Sequence, residues 1–295
     1  MARTDYTRTE RADVYTRVTQ AIIATIETGA GDWRMPWHHD GISAARPTNI
    51  TTGKAYRGIN TVSLWVSAQI NGFTSGLWGT YRQWQDAGAQ VRKDEKSSIG
   101  VLWKELRGSD DDHADDDDRR SRLFARAFNL FNLAQVDGYM AEPMATLSET
   151  ERLERADAFI SNLGIVTEFG DFRAYYHIGE DRIHMPDFAA FRHAHGFYAT
   201  HLHECGHATG AKHRLDRDFT GRWSDHALAM EEATAELTAA FLLSDLSIAN
   251  DPRPDHAAYV GHWLDLMKSE PRAIFTAASK AQAAADWMWA QQPPG

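Results

Sequence analysis

The chain has 295 residues, 43% of them hydrophobic and 24% charged, with a formal net charge of −10, the balance of a soluble globular protein. No run approaches the roughly 18 apolar residues that a membrane span needs, and the start, Met1 to Arg8, has no apolar signal core. Cys205 is the single cysteine, which excludes an intrachain disulfide; the expectation is a cytoplasmic protein, long enough for two domains that each bury a core, with no membrane partner.

Val14, Val18, Ile22 and Ile26 recur every four residues and Gly29 follows, which predicts an amphipathic helix over 9–28. A loop through Pro36 and Pro47 leads to Tyr56-Arg57-Gly58-Ile59-Asn60 and a second helix near 60–71. Thr80 to Ala87 reads as a short helix stopped by Gly88, and Ile99–Leu106 and Leu123–Leu133 read as strands. Between those strands, Asp110 to Asp118 is a run of like charge that repels itself, so an acidic disordered insertion is expected at about 108–121. A linker near Glu142-Pro143-Met144 sets expected domains at 1–140 and 145–295.

Ser148 with Glu151 three residues on is a capping-box pattern and predicts a helix to Asn162. Residues 164–185 read as short strands broken at Gly170-Asp171 and Gly179-Glu180-Asp181. Helical stretches follow over 188–210, 227–243, 256–267 and 272–289, so the fold class expected is α+β, with a mainly helical second domain carrying a small sheet.

Charge is unevenly divided. Residues 1–108 hold 14 Lys and Arg against 10 Asp and Glu, leaving 17 against 31 for the rest, so the basic half is the one suited to a polyanion. Aromatic residues are interleaved with those cations, as stacking on single-stranded nucleic acid requires. Trp65 fits a core position better. Candidate DNA contacts are Trp33, Trp37, Tyr56, Arg57, Asn60, Trp78, Tyr81, Arg82, Trp84, Arg92, Lys93 and Lys96.

His203-Glu204-Cys205-Gly206-His207 spells H-E-x-x-H in a helical stretch. Histidines four apart share one helix face and can share one tetrahedral metal, with Glu204 placed as general base toward an activated water. Two third ligands are open. His213 would complete H-E-x-x-H-x-x-G-x-x-H, a metzincin pattern. Glu232, on a later helix with Glu236 one turn on, would make a gluzincin-like site in which Glu236 holds a ligand histidine by its other ring nitrogen.

The chain resembles the ArdC-type antirestriction proteins of conjugative plasmids over nearly its whole length. In the first half the resemblance runs through Trp33-Arg-Met-Pro-Trp37, Pro47-Thr-Asn49, Tyr56-Arg-Gly-Ile-Asn60, Thr80-Tyr-Arg-Gln-Trp84 with Gly88, and Phe128 to Gln135. In the second half it runs through Asp181-Arg-Ile-His-Met-Pro186, the H-E-x-x-H, Thr209-Gly210, Arg214-Leu215-Asp-Arg217 and Glu231-Glu232 with Ala235-Glu236-Leu237. Asp94, Ala211 and Leu228 depart from the usual glycine, histidine and tyrosine. The resemblance implies a single-stranded-DNA-binding domain joined to a zincin-like metallopeptidase domain that protects incoming plasmid DNA. It implies Glu232 as the third ligand, Glu236 behind it, and Zn2+, with Mn2+ or Co2+ fitting the same donors. The implied partners are single-stranded DNA and a protein substrate such as a restriction component.

Overall fold

The computed structural model describes residues 13–28, 46–106, 122–141, 147–217, 225–248 and 256–294. The start of the leading helix, the Trp33 to Trp37 loop, the Asp110 to Asp118 run and the 142–144 linker lie outside the described residues.

In the first half, α1 (Val14–Thr28) turns Val18, Ile22 and Ile26 inward at helical spacing. The two-residue β1 (Thr48–Asn49) precedes α2 (Ile59–Asn71), which buries Val62, Trp65 and Val66. β2 (Leu77–Gly79) leads into α3 (Tyr81–Asp86), opened by a capping box in which Thr80 Oγ1 accepts from the Gln83 N–H and Gln83 Oε1 accepts from the Thr80 N–H. After β3 (Gln90–Val91), Asp94 takes a left-handed φ of 67°, a conformation that suits glycine and that aspartate is among the few side chains to tolerate. β4 (Ser98–Leu106) and β5 (Arg122–Asn132) form a long antiparallel hairpin, and β6 (Val136–Asp137) pairs with β3. The main sheet runs β1-β2-β5-β4.

In the second half, α4 (Glu149–Ser161) starts at the predicted box, with Glu151 Oε2 accepting the Ser148 N–H at 2.7 Å. β7 (Val166–Phe169), β8 (Tyr175–His177) and β9 (Arg182–Met185) form a sheet of order β7-β9-β8 with β9 central. A 3₁₀ turn at Phe188–Ala190 delays α5 (Ala194–Ala208) beyond the expected start. α6 (Asp225–Asp245), α7 (His256–Ser269) and α8 (Ala273–Ala290) follow. α6 is buried on almost every side, the property of a central helix. Among the described residues no helix is long and apolar enough to cross a membrane.

Chain length led to the expectation of a separate core for each half. The first half holds two small clusters of its own, around Trp84 and around Trp78, and a larger apolar cluster joins the halves, running from Ile22 and Val62 through Phe241 and Leu242 to Ala278 and Ala281. Trp65 lies against Phe241 with ring centroids 5.8 Å apart, as its placement in the core predicted. A polar seam follows the same contact. Arg46 Nη1 stands 2.6 Å from Asp245 Oδ2, and Nη2 donates to Gln282 Oε1 at 2.5 Å. Gln282 Oε1 also accepts the Gly58 N–H at 3.1 Å, and Arg57 pairs with Asp286.

Candidate metal centre

α5 and α6 cross where Gly206 meets Ala235. A Cβ on Gly206 would stand 3.1 Å from Ala235 Cα and 3.2 Å from its carbonyl oxygen, so a larger residue would push the helices apart. That approach brings His203 and His207 of α5 opposite Glu232 and Glu236 of α6.

The two Nε2 atoms of His203 and His207 are 3.1 Å apart, His203 Nε2 is 3.5 Å from Glu232 Oε2, and His207 Nε2 is 3.4 Å from Glu232 Oε1. A tetrahedral ion with bonds of about 2.1 Å sets its donors about 3.4 Å apart, and one donor atom from each of these three side chains lies within 4.8 Å of the others, close enough to share one ion. Among the described residues this is the one cluster of histidine, cysteine and carboxylate donors close enough to hold a metal. His203 is buried, and its Nδ1 lies 3.5 Å from Glu236 Oε2, within ion-pair reach but outside hydrogen-bond geometry. Burial disfavours a charge on His207, but Glu232 and Glu231 outweigh it and push its pKa up to about 10. Burial likewise opposes the charge on Glu232, and His207 and His203 overcome it, holding the carboxyl far below its usual range.

Glu204 is buried on α5 beside His203, and its charge is among those that act on His207. His213 stands elsewhere: its ring is 63% exposed and its Nε2 lies 3.3 Å from Asp181 Oδ2. The structure therefore brings His203, His207 and Glu232 together and leaves His213 outside, because the chain after Gly210 turns back over the end of α5. Arg217 N–H donates to Gly210 O at 3.0 Å, and Arg214 reaches both Ala208 O and Asp181. Glu231 also belongs to the site, with no motif in the sequence that marks its role. Its Oε1 is 3.2 Å from His207 Nδ1, and Arg217 holds both its oxygens, at 2.7 and 3.1 Å. The Glu231-Glu232 doublet was visible, but the identity of its cation was not. His201, also unremarked, ties α5 to β7 through Thr167 Oγ1 at 2.9 Å, and burial lowers its pKa to about 4, so it is neutral.

The nucleic-acid candidates separate sharply. Trp33 and Trp37 lie outside the described residues. Trp78 and Trp84 are corrected from stacking platforms to core residues: they are 1% and 0% exposed, and Trp84 Nε1 donates to Phe131 O at 3.0 Å. Neither ring has a face free for a base. Asn60 is spent on the backbone of Val101, donating to its carbonyl and accepting from its N–H, and the half-buried Tyr56 hydroxyl accepts from Asn49 Nδ2. Arg92 is bound to Glu95 and Asp137, and Arg57 to Asp286. Tyr81 at 44% and Arg82 at 90% are exposed, as are Lys93 and Lys96.

Comparison with known proteins bears on both halves. The family profile of the N-terminal domain of anti-restriction factor ArdC matches residues 12–131, and that of a zincin-like metallopeptidase matches residues 154–280. The chain is 53% identical to the uncharacterized protein y4eC of Sinorhizobium fredii, over 98% of this chain and 95% of that one. It is 35% identical to the DNA primase TraC of Escherichia coli, over 93% of this chain but 27% of the primase. The metal-free crystal structure of antirestriction protein ArdC from the R388 plasmid aligns with TM-score 0.77 at 38% identity, covering 95% of this chain and 97% of that one; the Mn(II)-bound form aligns with TM-score 0.75. With both profiles in order along one chain and the whole two-domain α+β architecture shared, the protein belongs to the ArdC antirestriction family.

Proposed function

We propose that the chain protects incoming plasmid DNA from restriction, binding its single strand through the first domain and hydrolysing a peptide bond at the His203–His207–Glu232 centre. The observation that carries the second part is the convergence of three donors: the two histidine Nε2 atoms stand 3.1 Å apart, and each lies within 3.5 Å of an oxygen of Glu232. His203 Nε2, His207 Nε2 and a Glu232 oxygen would hold the ion, Zn2+ or in its place Mn2+ or Co2+; the Mn(II)-bound relative supports a divalent occupant. Such an ion supplies Lewis-acid polarisation of a carbonyl and a more acidic water.

The chain's own residues do the rest. Glu204 takes a proton from the attacking water, whose oxygen bonds to the scissile carbonyl carbon. Glu204 then returns the proton to the amide nitrogen as the C–N bond breaks. Glu236 steadies His203 from behind. The outer strands β7 and β8 flank the helix that bears the site, and an extended polypeptide substrate would lie along one of them. On the first domain, Tyr81 offers a face for a base, and Arg82, Lys93 and Lys96 offer charge for phosphates. Trp33 and Trp37 join them on sequence grounds alone.

The test compares wild type with Glu204→Gln at matched expression, for protection of DNA entering a restricting cell and for single-strand affinity in vitro. Lost protection with intact DNA binding supports hydrolysis. Equal protection would make the protein a DNA-binding shield whose metal domain is structural.

A further inference from the structure

We propose that Glu231, clamped by Arg217, is a positioning residue that sets the ring orientation and tautomer of His207 and so tunes metal affinity; this rests on the reading of His203, His207 and Glu232 as a metal centre. A histidine ligand binds through one ring nitrogen, and the partner of the other nitrogen decides which way the ring faces and which tautomer it holds. For His207 that partner is Glu231, with Oε1 3.2 Å from Nδ1, which leaves Nε2 directed at Glu232. A carboxylate at Nδ1 keeps the proton there and frees the Nε2 lone pair for the ion.

Arg217 makes Glu231 fit for this task in two ways. Its side chain, 6% exposed, donates from Nη2 to Glu231 Oε1 at 2.7 Å and from Nε to Oε2 at 3.1 Å, a fork that fixes the carboxylate in one plane. The same guanidinium donates to Gly206 O at 2.7 Å and to Thr209 Oγ1 at 2.6 Å. It therefore satisfies a carbonyl left over at the C-terminal end of α5 and favours that end's dipole, while holding the first turns of α6. The charge matters as well. Glu204, Glu231, Glu232 and Glu236 crowd four carboxylates around two histidines, and Arg217 is the cation bound to one of them. One residue thus locks a ligand, a helix end and the helix that delivers the third ligand.

The experiment measures Zn2+ and Mn2+ affinity by chelator competition, and the visible absorption of bound Co2+, on the full chain. The variants are Glu231→Ala, Glu231→Gln, Arg217→Ala and Arg217→Lys, with His203→Ala and Glu232→Ala as controls. Glu231→Ala and Arg217→Ala are expected to weaken affinity about 10–100-fold and to alter the Co2+ spectrum, which reports coordination geometry. Glu231→Gln keeps an acceptor oxygen for Nδ1–H and should recover much of both, a rescue that a purely structural role would not produce. Should an alanine variant fail to fold, Arg217→Lys decides: an ammonium cannot hold both carboxylate oxygens, so weakened binding is expected and wild-type binding overturns the proposal. Wild-type affinity and spectrum in Glu231→Ala and Arg217→Ala, with binding lost in the controls, overturn the role of Glu231 alone. Wild-type binding in the controls too would overturn the metal centre, and this proposal with it.

Discussion

Arg46→Met tests whether the two domains are held by the buried seam. In the wild type the Arg46 guanidinium is 8% exposed, pairs with Asp245 Oδ2 at 2.6 Å and lies 4.8 Å from the Phe241 ring centroid. The substitution keeps most of the apolar bulk and leaves Asp245, whose side chain is 19% exposed, with Trp289 Nε1 at 3.3 Å as its remaining donor. Breaking one side of a buried pair typically costs about 3–5 kcal/mol. An upper bound comes from the escape route of protonating Asp245. Carrying that carboxyl from its ordinary 3.8 to pH 7 costs about 4.4 kcal/mol, and to pH 5 about 1.6 kcal/mol. Burial already raises Asp245, with Arg46 opposing, so the variant moves further in a direction the wild type has begun. The expected loss is therefore about 3–4 kcal/mol at pH 7, shrinking below about 1.6 kcal/mol at pH 5. Urea unfolding at the two pH values measures it, and Asp245→Asn in the Arg46→Met background should restore most of the loss. A loss under about 1 kcal/mol at pH 7, or an equal loss at both pH values, refutes the reasoning.

Two further outcomes follow from the same structure. With His207 pushed up to about 10, metal must displace a proton, so apparent metal affinity should rise about tenfold per pH unit from pH 7 to 9. A raised histidine stabilises the metal-free fold fully below the unfolded value of 6.5 and loses that contribution as pH climbs to 10, so metal-free stability should fall over this window while metal affinity rises. Metal titrations with a pH indicator check the first statement and denaturant midpoints the second; flat profiles contradict both. On the first domain, Tyr81→Ala should weaken single-strand binding by about 1–3 kcal/mol with little change in stability. Trp84→Ala should instead cost about 3–5 kcal/mol of stability, and a stable Trp84→Ala variant with impaired binding would return that ring to the interface.

The elements that sequence predicted well are those whose signals are local. The Ser148 and Thr80 boxes, the four-residue apolar spacing of α1 and the helical setting of His203 and His207 need only neighbours in the chain to be read. Interleaved aromatics and cations are different, because the composition is the same whether a ring faces in or out. α3 resolves it in space: Tyr81 and Arg82 face water, while Trp84 turns inward against Val136 and Tyr139. Glu231 escaped notice because its meaning depends on Arg217, which the turn after Gly210 brings back over α5. The same turn carries His213 out to Asp181, so spacing alone left the choice of third ligand open. Gly206 lies within the motif yet owes its identity to Ala235, 29 positions on, across the helix crossing.

That His203, His207 and Glu232 form the metal centre is tested most directly by elemental analysis of purified wild type, His203→Ala, Glu232→Ala and His213→Ala. About one equivalent of divalent metal is predicted in the wild type and in His213→Ala, and well below one in the other two. Metal retained in Glu232→Ala but lost in His213→Ala would contradict it and make the site a three-histidine centre.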